Sequence, residues 1–393
     1  MRLPPLLICA TAPVIEQGPA LMLDVKFVDG MREHCRHWPG PVRCVLRRGA
    51  ASVPFGALYA PEDLGFDLHV LDPGAPLPDA LMHGAGALFG AADDMAVTAL
   101  IEPARQAGVP VVLSLEYTLE TRIRIALLDD TRSLPRRLWS ALWALRSEPA
   151  RRAALRAADG VQFNGYPAEA AYRGLTDHPL LYLDNRMTPA LMATPAEMEA
   201  RANRLRAGAP LRLIHSGRLE PMKGAQDLLP VMTALRAQGV EATLDIYGTG
   251  SLERTIRARL GAFDGAVRLH APVDFESVLV PASRTGADLF LSCHRQSDPS
   301  CSYIEAMGCG LVVAGYANRM WRRLAALSGG GPVAPLGDVA GLAAQIAALD
   351  RDRESLLDAA ARGLAFAREH DFPGEFTRRM DHLKTVARLS DPA

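Results

Sequence analysis

Short apolar runs alternate with longer, helix-length segments along most of the chain. The runs are bounded by turn-forming residues and are rich in Val, Ile and Leu, a pattern typical of strands that are buried on both faces. The predicted strands are, in chain order, Leu6–Ala10, Val42–Arg47, Leu68–Leu71, Val109–Leu115, Val161–Asn164, Leu180–Leu183, Leu211–Ser216, Ala242–Tyr247, Val267–His270, Leu289–Cys293 and Leu311–Ala314. The helix-length segments include Pro19–His34, Met95–Gln106, Ala225–Ala237 and Leu252–Leu260. Because such strands alternate with helices, we predict an α/β fold with parallel sheets.

The alternation stops near the middle of the chain, in the polar, Ala/Arg/Glu-rich stretch Thr188–Gly208. We therefore predict two Rossmann-like, doubly wound domains that face each other across a cleft and span residues 1–186 and 187–365. Residues 366–393 are predicted to form C-terminal helices, broken at Pro373, that pack back toward the N-terminal domain. In such domains ligands bind at the carboxyl ends of the strands, so both sheets contribute to one site.

The charge balance argues against one class of function. The chain has 43 basic and 44 acidic residues, so it lacks the basic excess of a nucleic-acid-binding protein. Only three of the basic residues are lysine, namely Lys26, Lys223 and Lys384. The six cysteines form no Cys-x-x-Cys pair and no histidines lie at zinc-ligand spacing, which predicts reduced thiols in a cytoplasmic protein and no metal site. No apolar stretch reaches the ~18 residues of a membrane span, and the first run is too short for a secretion signal.

The strongest motif begins at the predicted strand Leu211–Ser216 and reads LRLIHSGRLEPMKGAQDLL. Gly217 opens a turn after the strand, Arg218 and Lys223 follow in the loop, and Gly224 precedes a helical pattern. Two cations between a buried strand and the start of a helix are typical of a diphosphate-binding site. The order Lys-Gly, with no hydroxyl after it, differs from a Walker A loop.

A second motif, HRQSDPSCSYIEAMGCGLVVAG, runs from residue 294 to residue 315. A loop of small residues leads into a predicted helix, so the backbone N–H groups of Ser300, Cys301 and Ser302 are placed to face a phosphate or a sugar. Glu305 follows one turn into that helix. Two interpretations remain for it: its carboxylate accepts hydrogen bonds from the vicinal hydroxyls of a ribose, or it only stabilises the helix N-terminus.

Together the two motifs resemble the donor-binding half of a retaining glycosyltransferase with the GT-B fold and, within that fold, glycosyltransferase family 4 (group 1). The resemblance covers residues 205–365. It implies that Arg218 and Lys223 clamp the diphosphate of a nucleotide sugar and stabilise it as the leaving group, and that Glu305 holds the ribose. The other donor-binding residues that it implies are Gly18, Gly217, Gly248, Ser300, Cys301 and Ser302.

The second motif departs from the family pattern at one position. The first Glu of the family's Glu–seven residues–Glu motif should stand at position 297, where this sequence has Ser297 followed by Asp298. Either Asp298 takes over the contact with the sugar hydroxyls, or backbone amides make that contact alone. An Asp before Pro299 is also typical of a turn. On the first interpretation Asp298 joins Arg218 and Lys223 in the catalytic set.

Two features of the N-terminal half concern the acceptor. Glu116 follows the predicted strand Val109–Leu115 at the edge where ligands bind, either as an acceptor-positioning residue or as an ordinary loop carboxylate. The segment Arg132–Arg156 contains seven arginines around the sequence LWSALWAL. This pattern predicts either a basic amphipathic helix in peripheral contact with a membrane, or a helix that packs Trp139 and Trp143 into the core.

The resemblance implies an enzyme that moves a sugar, with retention at the anomeric carbon, from a nucleoside-diphosphate donor to a glycan or lipid-linked acceptor in surface-polysaccharide synthesis. We expect no cofactor, no metal and no nucleic-acid partner, and a location in the cytoplasm or at the periphery of the inner membrane. One alternative is a non-catalytic subunit that binds a sugar nucleotide or a glycan, motivated by the missing first Glu. The other is a different GT-B enzyme, such as a nucleotide-sugar epimerase.

Overall fold

The computed structural model describes residues 3–49, 51–53, 56–129, 131–297 and 299–389. Within them the chain forms two large parallel sheets, one small antiparallel sheet and the helices that cover them. The strands are β1 (Leu6–Cys9), β2 (Val14–Gln17), β3 (Ala20–Asp24), β4 (Val42–Arg47), β5 (Gly56–Tyr59), β6 (Asp67–Leu71), β7 (Ala87–Ala91), β8 (Val111–Leu115), β9 (Gly160–Asn164), β10 (Pro179–Tyr182), β11 (Leu211–Ser216), β12 (Ala242–Tyr247), β13 (Val267–His270), β14 (Leu289–Ser292), β15 (Val312–Tyr316) and β16 (Val333–Ala334). The helices are α1 (Val25–His37), α2 (Asp79–Met82), α3 (Met95–Thr98), α4 (Ile101–Gln106), α5 (Leu119–Leu128), α6 (Leu134–Ala157), α7 (Tyr166–Tyr172), α8 (Pro195–Arg206), α9 (Leu228–Ala237), α10 (Glu253–Arg257), α11 (Val280–Gly286), α12 (Ser302–Gly308), α13 (Arg319–Ser328), α14 (Val339–Arg351), α15 (Arg353–Glu369) and α16 (Phe372–Val386).

The first sheet has the order β10-β9-β8-β7-β1-β4-β6, and all of its strand pairs are parallel. From β1 the chain winds outward through β4 to β6, then returns and winds the other way from β7 to β10. The direction therefore reverses between β1 and β7. This reversal defines a doubly wound sheet with a topological switch point, where a crevice opens at the carboxyl ends of the strands.

The second sheet has the order β13-β12-β11-β14-β15-β16, again with only parallel pairs, and its switch point lies between β11 and β14. Its strands are buried on both faces: the consecutive residues Leu213 and Ile214 belong to apolar cores on opposite sides of the sheet. This double burial explains why these strands appear in the sequence as unbroken apolar runs. The predicted fold, two Rossmann-like doubly wound sheets in an α/β protein, is confirmed.

The segment predicted as the helix Pro19–His34 is only partly helical. Ala20–Asp24 is instead β3, which pairs with β2 and β5 in the small antiparallel sheet. The helix starts only at Val25, because the Asp24 carboxylate accepts hydrogen bonds from the backbone N–H groups of Lys26 (2.8 Å) and Phe27 (3.3 Å). Asp24 is therefore both the last residue of β3 and the N-cap of α1.

The central strand β7 of the first sheet is missing from the predicted strands. Its sequence, ALFGA, contains a glycine and two alanines, so it lacks the β-branched residues that mark the other strands. Gly90 is required there: a Cβ at this position would lie 2.6 Å from a methyl carbon of Val97. The small side chains let α3 pack close to the sheet. Because they replace the β-branched residues of the other strands, the sequence pattern does not predict this strand.

The C-terminal helices return to the first sheet. Pro373 lies in the first turn of α16, after the end of α15, where proline has no intrahelical hydrogen bond to lose. Met380 of α16 packs in the same core as Leu6 of β1, and the Gln162 side chain of β9 donates a hydrogen bond to the Arg379 carbonyl (2.8 Å). No helix within the described ranges is both long enough and apolar enough to cross a bilayer.

Candidate functional site

The loops that follow β11 and β12 contact each other through their backbones. The Gly217 N–H donates to the Tyr247 carbonyl (3.0 Å), and a Cβ on Gly248 would lie 2.0 Å from the Gly217 carbonyl oxygen. A side chain at Gly248 would therefore separate the two loops. Both predicted donor-binding glycines thus lie together at the carboxyl edge of the second sheet, directly before the exposed side chain of Arg218.

Lys223 lies at the end of a short 3-10 turn, Pro221–Lys223, and is only 8% exposed. Gly224 follows in the left-handed conformation (φ 69°), and a Cβ there would lie 1.7 Å from the Cys293 carbonyl oxygen. On the same side, the backbone N–H groups of Arg295 and Gln296 both donate to the Met222 carbonyl (3.1 and 3.3 Å). The turn that carries Lys223 is therefore fixed against the loop after β14, so the two sequence motifs meet.

Buried polar groups lie beneath this junction. His215, at the end of β11, is fully buried, and its Nδ1 lies 2.9 Å from the Leu291 carbonyl, so Nδ1 is the protonated nitrogen. Burial, together with the nearby charge of Lys223, lowers the pKa of His215 to about 4, so the imidazole is neutral at physiological pH. Among the described residues its Nε2, the Ser292 hydroxyl and the Gln296 side-chain oxygen have no hydrogen-bond partner. Such groups are satisfied when a polar ligand or an ordered water fills the site.

Glu305 lies in the first turn of α12 and is almost fully buried. Arg186 binds it in a bidentate manner, with its Nε 2.7 Å from one carboxylate oxygen and its second nitrogen 3.0 Å from the other. The guanidinium also stacks on Phe275, 3.6 Å from the ring centroid. A carboxylate offers about four lone-pair positions, so this pairing leaves two for the hydroxyls of a ligand. Sequence reasoning missed Arg186, since it lies between the two sheets, outside both motifs.

The small-residue loop before α12 also contacts the connection between the sheets. The Cys301 thiol lies 3.6 Å from an Asp184 carboxylate oxygen, and the hydroxyls of Ser300 and Ser302 lie 2.7 Å apart. Burial, then the charges of Asp184 and Glu305, raise the pKa of Cys301 well above its usual range. Burial therefore favours the protonated thiol at this position.

Ser297, which occupies the position of the missing Glu, makes structural contacts. Its hydroxyl accepts a hydrogen bond from the Arg319 backbone N–H (3.0 Å), which lies at the start of α13, and its carbonyl accepts one from the Thr121 hydroxyl (3.4 Å). Thr121 belongs to α5 of the N-terminal half, so this loop also joins the two halves of the molecule. Asp298, the predicted replacement for the Glu, lies outside the described residues.

The N-terminal candidates lie in two places. Glu116 directly follows β8 and is half-buried, and its charge contributes to the raised pKa of Cys301, after burial and the nearer carboxylates. Gly18 lies at the turn between β2 and β3 in the left-handed conformation, and no heavy atom lies within 4 Å of the place a Cβ would take. Glu116 therefore lies within electrostatic range of Cys301, whereas Gly18 lies at an exposed hairpin tip.

A cavity of about 220 Å³ opens at the switch point of the first sheet, which sequence reasoning did not identify. It is lined by Thr11 after β1, Arg47 at the end of β4 and Asp94 before α3. The Asp94 carboxylate accepts from the Ala96 N–H (2.8 Å), so one of its oxygens is already engaged. No group of three or more His, Cys, Asp or Glu side chains within the described part of the chain is arranged to hold a metal ion.

Solved structures share this architecture over the whole chain. HepE of Anabaena, in complex with UDP, superimposes with a TM-score of 0.67 at 15% sequence identity. The alignment covers 99% of this chain and 100% of the HepE chain. Sucrose-phosphate synthase of Thermosynechococcus elongatus gives a TM-score of 0.67 at 16% identity, covering 98% and 100%. WaaG, a glycosyltransferase involved in lipopolysaccharide biosynthesis, gives a TM-score of 0.56 at 14% sequence identity. The alignment covers 99% of this chain and 100% of the WaaG chain.

The fold is GT-B. Residues 210–352 also match the family model "Glycosyl transferases group 1", and this range lies within residues 205–365, to which the sequence motifs point. No curated protein matches the chain by sequence. The family match and the GT-B neighbours together support a GT-B glycosyltransferase, and the segment that matches the group 1 model forms the second sheet.

The close approach at Gly224 predicts a large effect of adding one methyl group. Gly224→Ala should lower the free energy of unfolding by at least about 2 kcal/mol more than Gly239→Ala, because its Cβ would overlap the Cys293 carbonyl. Gly239 is the matched control, since it is also left-handed (φ 76°) but has open space around it, so its substitution should cost about 1 kcal/mol. Urea unfolding measures both. Equal costs would show that the contact adds nothing to backbone strain.

The bidentate pairing of the half-buried Arg186 with the nearly buried Glu305 predicts strong coupling between the two residues. Arg186→Ala should destabilise the protein by about 1–3 kcal/mol, because it leaves a nearly buried carboxylate without its cation, and this cost should shrink in a Glu305→Gln background. Arg206 and Glu354 form a similarly bidentate but exposed pair, whose coupling should stay below about 1 kcal/mol. A double-mutant cycle on each pair, read by urea unfolding, makes the comparison. Additive effects at Arg186 and Glu305 would contradict the coupling.

Proposed function

We propose that the chain is a retaining, metal-independent glycosyltransferase of the family 4 type. It would transfer a sugar from a nucleoside-diphosphate donor to a glycan or lipid-linked acceptor. The observation that carries the proposal is the turn bearing Lys223, fixed by Gly224 against the loop after β14, with Arg218 exposed at its edge. It lies in the segment that matches the group 1 glycosyltransferase model.

The catalytic contribution of these residues is electrostatic. As the bond from the anomeric carbon to the diphosphate breaks, negative charge builds on the leaving phosphate oxygen, and cations fixed beside it stabilise that charge. The nearly buried position of Lys223 strengthens its interaction, because little water screens it. The neutral His215 beneath it adds no competing positive charge. Arg218 and Lys223 would thus supply the positive charge beside the negatively charged leaving group. No divalent ion or cofactor would be needed.

The remaining donor contacts follow from the loop after β14. Glu305, held by Arg186, would accept hydrogen bonds from the ribose hydroxyls through its free lone pairs. Since the Ser297 hydroxyl accepts from the Arg319 N–H, contact with the sugar hydroxyls falls to Asp298 or to the backbone amides of Ser300–Ser302. The acceptor oxygen would attack from the side of the departing diphosphate, and the leaving phosphate oxygen would take the acceptor proton. This front-side displacement retains the anomeric configuration.

The acceptor would bind on the N-terminal side, between Glu116 and the cavity beside Thr11 and Asp94. We further propose a role in surface-polysaccharide synthesis, in the cytoplasm and at the inner membrane surface. Support for a lipid-linked acceptor comes from one structural neighbour, WaaG, which is involved in lipopolysaccharide biosynthesis. Gly18, at its hairpin tip, would reach the donor only if that hairpin moves toward the second sheet.

A second candidate is a sugar-nucleotide-binding subunit without catalytic activity. The favouring observation is that Ser297 replaces the expected Glu and uses its hydroxyl to hold α13. Both candidates predict nucleotide binding, but only the enzyme releases a nucleoside diphosphate from the nucleotide sugar. Slow donor hydrolysis in the absence of acceptor would therefore favour the enzyme, and tight binding without any turnover would favour the subunit.

Removal of Lys223 should lower the rate of sugar transfer much more than it lowers stability. Lys223→Ala is expected to cost about 2–4 kcal/mol of transition-state stabilisation, a loss of roughly 30- to 1000-fold in kcat. Lys384→Ala is the matched control, because this lysine pairs with Asp381 on the outside of α16 and should leave kcat unchanged. Turnover is measured by release of the nucleoside diphosphate. A Lys223→Ala enzyme within a few-fold of wild type would remove Lys223 from the catalytic set.

The donor should be identified by its effect on thermal stability. A nucleotide at a hundredfold excess over its Kd stabilises the folded protein by about 2.7 kcal/mol, so the correct member of a UDP, GDP and ADP panel should raise the Tm clearly. UDP is the first candidate, since HepE has been solved with UDP and with UDP-glucose. The matching nucleotide sugar should then give a product with the anomeric configuration of the donor, read by NMR. Inversion would contradict the retaining mechanism, and no shift with any nucleotide would contradict the donor class.

A further inference from the structure

Helix α6 exposes an unusual amount of apolar surface. The outer face of α6, as we define it, consists of the large apolar residues Leu134, Leu138, Trp139, Leu142, Trp143 and Leu145. Trp139 is 65% exposed and Trp143 is 44% exposed, so the prediction that these tryptophans pack into the core is wrong. Contiguous exposed apolar surface of this kind is typical of a binding site, whereas single exposed leucines are common on any protein.

The helix is nevertheless well anchored to the protein. Its inner side buries Ala141, Ala144, Glu148, Arg151 and Leu155, whose spacing of three and four residues forms one stripe along the helix. Arg151 of this stripe forms an ion pair with Asp93 (3.1 Å). Leu138, Leu142 and the two tryptophans point away from this stripe in the helical repeat, whereas Leu134 and Leu145 lie along its border. The helix therefore has an inner side that holds it in place and an outer face that stays largely exposed, although the Arg122 guanidinium lies over the Trp143 ring (5.8 Å).

Positive charge accompanies the outer face. Residues 131–147 contain four arginines and no acidic residue. Arg136 and Arg146 are exposed on the same helix, and Leu127 at the end of α5 extends the apolar surface. Arginines attract anionic groups, while the tryptophan rings are suited to the boundary between headgroups and acyl chains.

We infer that the outer face of α6 docks on an anionic lipid surface, with the helix lying in the plane of the interface. A second copy of the chain fits the surface less well, because a two-fold contact would bring the arginines of both copies together. Anionic headgroups neutralise those charges instead. The contact itself rests on the helix alone; only its purpose, to bring the N-terminal half to a lipid-linked acceptor, rests on the proposed function.

Intrinsic fluorescence offers a direct test. The chain has four tryptophans, and Trp38 and Trp321 are buried, so changes on adding vesicles report on Trp139 and Trp143. Vesicles of phosphatidylcholine mixed with phosphatidylglycerol should shift the emission to the blue and protect it from iodide quenching. Phosphatidylcholine alone should do neither, and added salt should weaken the effect. An equal blue shift and equal protection with both vesicle types would overturn the inference. So would the absence of any change with either type.

Matched variants separate the apolar and the charged contributions in a co-sedimentation assay. Leu138→Ser combined with Leu142→Ser should lower partitioning onto anionic vesicles by about tenfold or more, whereas Leu327→Ser should not. Leu327 is a suitable control because it is 46% exposed on a helix of the other domain, against 44% for Leu142. Equal partitioning of these variants and the wild type would overturn the inference.

The charged contribution and the rival partner are tested with the same material. Arg136→Gln combined with Arg146→Gln should reduce both binding and its salt dependence, while Arg254→Gln on the exposed side of α10 should not. Self-association of the wild type in the absence of vesicles, lost in the Leu138/Leu142 variant, would assign the outer face of α6 to a second copy. The nucleotide-induced Tm shift does not involve α6, so failure of vesicle binding and failure of the proposed sugar transfer remain distinguishable.

Discussion

The contact between Gly224 and the Cys293 carbonyl determines the geometry of the donor side. Because the closest atoms belong to two backbones, no change of rotamer can adjust the distance between the turn that bears Lys223 and the loop after β14. Hydrogen bonds from the Arg295 and Gln296 N–H groups to the Met222 carbonyl hold the same junction. The cation and the small-residue loop are thus held in place before any ligand binds, and this preorganisation is what electrostatic stabilisation of a leaving group requires.

The connection between the two sheets belongs to this arrangement as well. Asn185 donates to the His370 carbonyl (2.9 Å), so the outgoing and the returning crossings between the domains are tied together. The next residue, Arg186, holds Glu305. A ligand that changes the hydrogen bonding of Glu305 would therefore act directly on the connection between the two large sheets.

The sequence predicted those features that have a local residue pattern, and it did not predict features that depend on contacts between distant residues. The bounds of β11, β12 and β13 were predictable because strands buried on both faces require unbroken apolar runs. The glycine-containing β7 carries no such signal, since close packing against α3 selects small residues instead. Arg218 and Lys223 could be proposed as site residues from the sequence because the local order of strand, glycine and cations is itself the motif. Arg186 was not, because its partner lies 119 residues away and only the folded chain brings them together.

The outer face of α6 belongs to the same part of the N-terminal half as Glu116. Glu116 stands at the end of β8, α5 begins at Leu119, and α5 packs against α6 as a helical hairpin. The loop that carries Glu116 and the helix with the exposed tryptophans are therefore parts of one short segment. Thr121 of α5 also reaches the Ser297 carbonyl, so the same hairpin contacts the donor-side loop. A surface that binds this hairpin would hold the acceptor side of the cleft at a fixed distance from the lipid headgroups. On the proposed function, an acceptor embedded in the bilayer would then reach the anomeric carbon without leaving the membrane.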